Sequence, residues 1–167
     1  MKLEKLKKEL AAEAKAKGIC REWYNYILNA PSKERLMTLF VKGVDFCIYN
    51  DFPAAHLRAE FAGIRQHYGV FVNDNINVKS LRSIIAFGTS EGQTDFANFD
   101  VAQIWARDDT RITVRVRNNA FVCIDIADRA KVEIIASDAA RVSVFLHGGT
   151  YTSKPSGNAK IKVIDKK

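Results

Sequence analysis

Two periods of apolar residues divide the chain. Up to about residue 63 apolar residues recur at three and four, and after Gly69 they recur at two. Leu3, Leu6 and Leu10, with lysines and glutamates between them, predict an amphipathic helix that Gly18 ends. Trp23, Tyr24, Ile27 and Leu28 make a short second apolar face. Ala30-Pro31 breaks the chain, and Ser32 is a good N-cap for the next helix. Leu36, Leu39, Phe40, Val44, Cys47 and Ile48 keep helical spacing, which predicts one helix up to Asn50. Asp51-Phe52-Pro53 restarts a helix, with Pro53 tolerated in its first turn and Leu57 and Phe61 on one face.

From Gly69 the residues read as strands. Val70-Phe71-Val72 and Ile76-Asn77-Val78 flank a turn cluster, Asn73-Asp74-Asn75, and Ile84-Ile85-Ala86-Phe87 comes after them. From Asn98 onward a ten-residue beat sets in, as in NNAFVCIDIA, DRAKVEIIAS and DAARVSVFLH. The opening column is Asn98, Asp108, Asn118, Asp128, Asp138 and Gly148. Two residues on stand Asp100, Thr110, Ala120, Ala130, Ala140 and Thr150. The next same-side columns are almost wholly apolar, for example Ile112, Val122, Val132 and Val142, then Val114, Ile124, Ile134 and Val144. Alternate positions of a strand share a face, so each block offers one apolar face.

An antiparallel meander with two-residue turns has the same period but fails on facing. A turn at Asn118-Asn119 would pair Arg115 with Val122 and put Val114 and Val116 on the face of Asp125. A parallel coil keeps the apolar columns pure and predicts a β-solenoid. Ten residues trace only about 33 Å, and two sheets about 10 Å apart use roughly 20 Å of that in crossings. Twenty residues per coil are therefore expected, each block being one strand and one corner. The Asn/Asp column then marks corners, where such residues tolerate left-handed backbone and bond their own main chain. The repeat degrades after Gly148; residues 153–158 read as a loop and 159–164 as a closing strand. The fold class is thus α+β: a helical domain over residues 1–63, connecting strands and a first coil over 64–97, a parallel β-solenoid over 98–164, and a basic tail at 165–167.

Charge changes this picture little. The net charge is +7, but residues 108–150 carry six basic and six acidic groups, while residues 151–167 carry five basic and one acidic. The excess sits at the ends of the chain. It solubilises, or it attracts phosphate. No run of eighteen apolar residues exists, so no membrane span is expected. The charged N-terminus lacks an apolar core, and Cys20, Cys47 and Cys123 are an odd, widely spaced set. Both point to a cytoplasmic protein with reduced thiols and no zinc site.

The segments KGVDFCIYNDFP and GVFVN, joined to Ala-Val decads such as DRAKVEIIASDAARV, resemble short proteins encoded in gut-bacterial genomes and their phages or mobile elements. The resemblance runs from about Gly18 to Val163. It implies this architecture and a phage-like setting, and it brings no activity, cofactor or catalytic residue with it.

The residues themselves offer little chemistry. Gly88-Thr89-Ser90-Glu91-Gly92 has neither the spacing nor the lysine of a phosphate loop, and His56, His67 and His147 lie far apart. No catalytic, cofactor or metal residues are expected, and Cys123, outward on its strand, is the candidate reactive thiol. Twenty-residue coils would put Trp105, Phe121 and Phe145 on one outer sheet face, making them candidates for an interface with a protein partner or a second copy. Arg111, Arg115 and Lys131 would share the other face with Tyr151; with Lys160 and Lys162 they are candidate phosphate contacts. The expected function is a non-enzymatic interaction or scaffold protein, self-assembly into a homo-oligomer included. Nucleic-acid binding through the basic ends is the alternative, and a carbohydrate- or acyl-transfer-related solenoid comes third.

Overall fold

The computed structural model covers residues 1–167 and divides into two compact units, Met1–Tyr68 and Gly69–Lys167. The first holds helices α1 (Leu3–Ala16), α2 (Arg21–Leu28), α3 (Lys33–Lys42), α4 (Val44–Tyr49) and α5 (Ala54–Glu60). A 3-10 turn at Arg65–Tyr68 belongs to it, so the unit runs past the expected limit at Gly63. Leu6 and Leu10 of α1, Leu36 and Phe40 of α3, and Leu57 and Phe61 are buried, as their spacing requires. Ser32 caps α3, its Oγ accepting the Arg35 N–H at 3.2 Å.

The single helix expected up to Asn50 is two, divided at Gly43. The Gly43 N–H ends α3 on the Leu39 carbonyl at 2.9 Å. A Cβ at Gly43 would stand 3.2 Å from the Trp23 ring, so the bare backbone lies against the indole. Apolar spacing continues through this break and hides it.

The second unit is a parallel β-solenoid. Its strands are β1 (Val70–Val72), β2 (Asn75–Lys79), β3 (Ser83–Phe87), β4 (Glu91–Phe96), β5 (Val101–Ala106), β6 (Arg111–Val116), β7 (Phe121–Ile126), β8 (Lys131–Ala136), β9 (Arg141–Leu146), β10 (Thr150–Pro155) and β11 (Lys160–Asp165). Odd strands form a six-stranded sheet and even strands a five-stranded one. Every pairing is parallel, and from β3 to β9 paired residues lie twenty apart, as in Ile84, Ile104, Ile124 and Val144. These four are fully buried, and Val114 and Ile134 occupy the matching place on the facing sheet. A coil is therefore twenty residues, and Ala120, Ala130 and Ala140 lie fully buried just past its corners.

Asn98, Asp108, Asn118, Asp128 and Asp138 all have φ between 54° and 58°, the left-handed backbone expected of corner residues. Their side chains do not bond their own main chain. Asp108 Oδ2 accepts the Gly88 N–H at 2.7 Å, and Asn118 Oδ1 the Asn98 N–H at 2.9 Å. Asp128 Oδ2 accepts the Asp108 N–H at 3.0 Å, and Asp138 Oδ2 the Asn118 N–H at 2.9 Å. From Asp108 on, each of these corners thus satisfies the corner one coil before it. The geometry forces this: parallel stacking sets the next carboxylate or amide over a corner N–H that the strand ladders do not use.

At the end of the repeat two expectations give way. Residues 153–158 are not simply a loop, because β10 pairs with β8 along its whole length. One residue is lost before β10, so its partners lie nineteen apart and Tyr151 pairs with Val132. Tyr151 therefore packs towards the core and does not share the outer face with Arg111, Arg115 and Lys131. Gly149 makes the shortened corner possible, with φ 67° and its α-carbon so close to the Ala130 carbonyl that a Cβ would stand 2.3 Å from that oxygen.

Candidate interaction surface

On the outer face of the six-stranded sheet, register stacks the residues in columns. Val101, Phe121, Arg141 and Lys160 form one at the start of the strands. Gln103, Cys123, Ser143 and Lys162 form the next, and Ile85, Trp105, Asp125, Phe145 and Ile164 a third. Trp105, Phe121 and Phe145 do share this face. They do not form one cluster: Asp125 separates Trp105 from Phe145, and Phe121 lies four residues nearer the strand start, about 13 Å away along the strand.

Exposure separates them further. Trp105 and Phe145 are half-buried, whereas Phe99 is 80% exposed, Val101 57% and Phe121 37%. The apolar surface left in water therefore runs from the Phe99 corner onto the first column. Sequence reasoning missed Phe99 and Val101. The signal was present, because Phe99 occupies the corner position that Asp109, Asn119, Arg129 and Ala139 hold in later blocks. A lone aromatic in a polar, turn-type column serves no packing need of the coil.

Around Asp125 the face is polar and tied down. Gln103 Nε2 donates to Asp125 Oδ2 at 3.2 Å, and His147 Nε2 lies 3.3 Å from Asp125 Oδ1. Cys123 does point outward, but burial first and the Asp125 charge second push its thiol pKa up. A raised pKa disfavours the nucleophilic thiolate at Cys123. No three His, Cys, Asp or Glu side chains gather with metal-binding geometry.

The phosphate-contact candidates fall on two sheets. Arg111 and Lys131 come after Asn75 and Glu91 in one column of the five-stranded sheet, and Arg115 after Lys79 and Asp95 in another. Arg115 is also bound to the Gln93 side chain at 2.7 Å. Lys160 and Lys162 stand on β11, the outermost strand of the other sheet. At the corners, Arg129 forks onto Asp109 at 2.7 and 2.8 Å and lowers that carboxyl's pKa. No helix is long and apolar enough to cross a membrane.

No protein-family model, curated protein or solved structure matches this chain.

Proposed function

We propose that this chain is a non-enzymatic interaction or scaffold protein that binds a protein partner through the outer face of the six-stranded sheet, with Phe99, Val101 and Phe121 as the anchor. The observation that carries this reading is the exposure of Phe99 and Val101 at positions filled by Asp109 and Arg111 one block later. The solenoid does not need those apolar side chains for its own packing. Together the three leave roughly 300 Å² of apolar side chain in water, given the usual area of such groups. That is an anchor-sized patch. A standard specific interface takes about 800 Å² from each partner, so polar neighbours on the same face must complete the contact. Arg141 and Lys160 continue the Phe121 column and favour a partner that sets carboxylates beside its apolar groups.

A second copy of the chain is one such partner, docking face to face and not through the solenoid's end. Lys160 and Lys162 line the outermost strand of one sheet, and Lys154 and Pro155 that of the other. Lysine and proline on a free edge discourage pairing with another strand. In this reading the five basic residues after Thr150 guard an edge, and nucleic acid is not their target. Three free cysteines suit a reducing cell interior, and the resemblance of the KGVDFCIYNDFP segment adds a phage or mobile-element setting.

The test is site-specific photo-crosslinking with benzoylphenylalanine in place of Phe99. An adduct from Phe99, absent when the probe replaces Thr113 on the opposite sheet, supports the proposal. Equal adducts from both positions, or none from Phe99, refute it.

A further inference from the structure

The helical unit holds a half-open pocket of about 270 Å³ that all five helices help to line. None of its seventeen lining residues is charged, and none is Ser, Thr, Asn, Gln or His. The only polar side-chain atoms in its wall are the Trp23 indole N–H and the thiols of Cys20 and Cys47. Five of the lining residues are aromatic, Trp23, Phe40, Phe46, Phe52 and Phe61, set among leucines, isoleucines and Met37. The opening lies where the lining is exposed or half-exposed, at Gly18 and Cys20 on one side and Gly43 and Phe46 on the other. Deeper in, burial pushes the Cys47 thiol up to about 12, as a water-poor wall does.

We propose that this cavity is a binding site for a neutral aromatic small molecule of indole or naphthalene size. Its wall cannot hold water well, because a bound water needs two to four polar partners. It offers no counter-charge, so an ionised ligand would be desolvated without compensation. An apolar cavity of about 150 Å³ takes one benzene, and scaling by volume gives a ligand of roughly eleven heavy atoms here. Rings in the wall favour a ring in the cavity, through edge-to-face and offset contacts. Walls from five helices and a volume of about 270 Å³ suit a compact molecule better than an extended peptide.

Calorimetric titration of the full chain with indole tests this, with indole-3-acetate and n-octanol as comparison probes. The expected result is saturable one-to-one binding of indole, with indole-3-acetate at least about tenfold weaker and n-octanol weaker than indole. Indole at about a hundredfold excess over its Kd should also raise the melting temperature of the helical unit by several degrees. Met37→Trp, which fills the buried wall, should weaken indole binding at least about tenfold. If that variant does not fold, Cys20→Trp at the exposed opening carries the same comparison. No saturable indole binding overturns the proposal. So does affinity unchanged by the folded blocking variant, which would place the indole elsewhere. Tighter binding of n-octanol than of indole overturns the aromatic class and points to an alkyl chain, while equal binding of indole-3-acetate overturns the selection for a neutral ligand.

Discussion

Asp138 lets the corner ladder be weighed. Its Oδ2 accepts the Asn118 N–H at 2.9 Å and the Asn118 Nδ2 at 3.2 Å, and its own backbone sits at φ 58°. Asp138→Ala removes the acceptor and leaves a Cβ residue in left-handed backbone with no local bond to offset it. A hydrogen bond to a charged group contributes about 1.5–3 kcal/mol, and exposure places this one at the low end. Left-handed backbone costs about 1–2 kcal/mol for an ordinary residue. Asp138 already bears part of that cost, because its side chain makes no local bond, so the expected loss is about 1.5–3 kcal/mol, mostly from the hydrogen bond. Asp138→Gly relieves the backbone alone and should cost about 1–2 kcal/mol. Asp138→Asn keeps both features, as Asn118 does in the same column, and should stay within about 0.5 kcal/mol of the parent. Urea unfolding monitored by Trp105 fluorescence, in a Trp23→Phe background, reports the solenoid alone, since the chain has two tryptophans. Asp138→Ala within about 0.5 kcal/mol of the parent would refute the ladder's role. A glycine variant as stable as the parent would assign the whole effect to backbone strain.

Three further outcomes are expected. Val132→Asp puts a carboxylate where 2% of the side chain meets water, and should cost about 3–5 kcal/mol or prevent folding, read by the same unfolding curve. Asp100 is held below the usual carboxylate range by the Ala97 N–H at 2.9 Å and the Ser80 hydroxyl at 2.7 Å. Its depressed folded-state pKa means the contribution is complete above about pH 4 and is lost as pH falls through the lower folded value. Melting curves of Asp100→Asn between pH 7 and pH 2 should therefore be flatter at the acid end than those of the parent. Deleting residues 166–167 with Lys162→Gln, which leaves the Phe121–Arg141–Lys160 column untouched, should leave crosslinking from position 99 intact. Nucleic-acid retention that weakens steeply with salt and disappears with those charges would instead favour the nucleic-acid reading.

The decads could be read because a parallel coil imposes one rule on every block. The inward columns must be apolar, as Val122, Val132 and Val142 are, and the corners must accept positive φ. The same logic gave the twenty-residue coil and the sheet to which each outward residue belongs. Three things escaped it for local reasons. Gly43 breaks a helix whose apolar spacing runs on from Leu36 to Ile48, and only the Trp23 ring against its backbone reveals why. Tyr151 was assigned to the wrong side because one residue is lost before it, and a one-residue shift turns every side chain of a strand over. Phe99 sits in a corner, and counting the faces of strands never reaches corner residues. The pocket of the helical unit was beyond periodicity altogether: Trp23, Phe40 and Phe61 fall on apolar helix faces in sequence, and only the three-dimensional arrangement leaves a space between them and Phe46 and Phe52.

The most direct measurement of the central claim is crosslinking from position 99 in the cells that make the protein, repeated with Phe121→Ser and with Arg141→Glu. The account expects one dominant adduct from Phe99→benzoylphenylalanine, weakened at least about tenfold by either substitution, and no such adduct from Thr113. Its mass tells whether the partner is a second copy or another protein. An adduct that survives both substitutions unchanged, or one formed as readily from Thr113, would contradict the assignment of the working surface to Phe99, Val101 and Phe121.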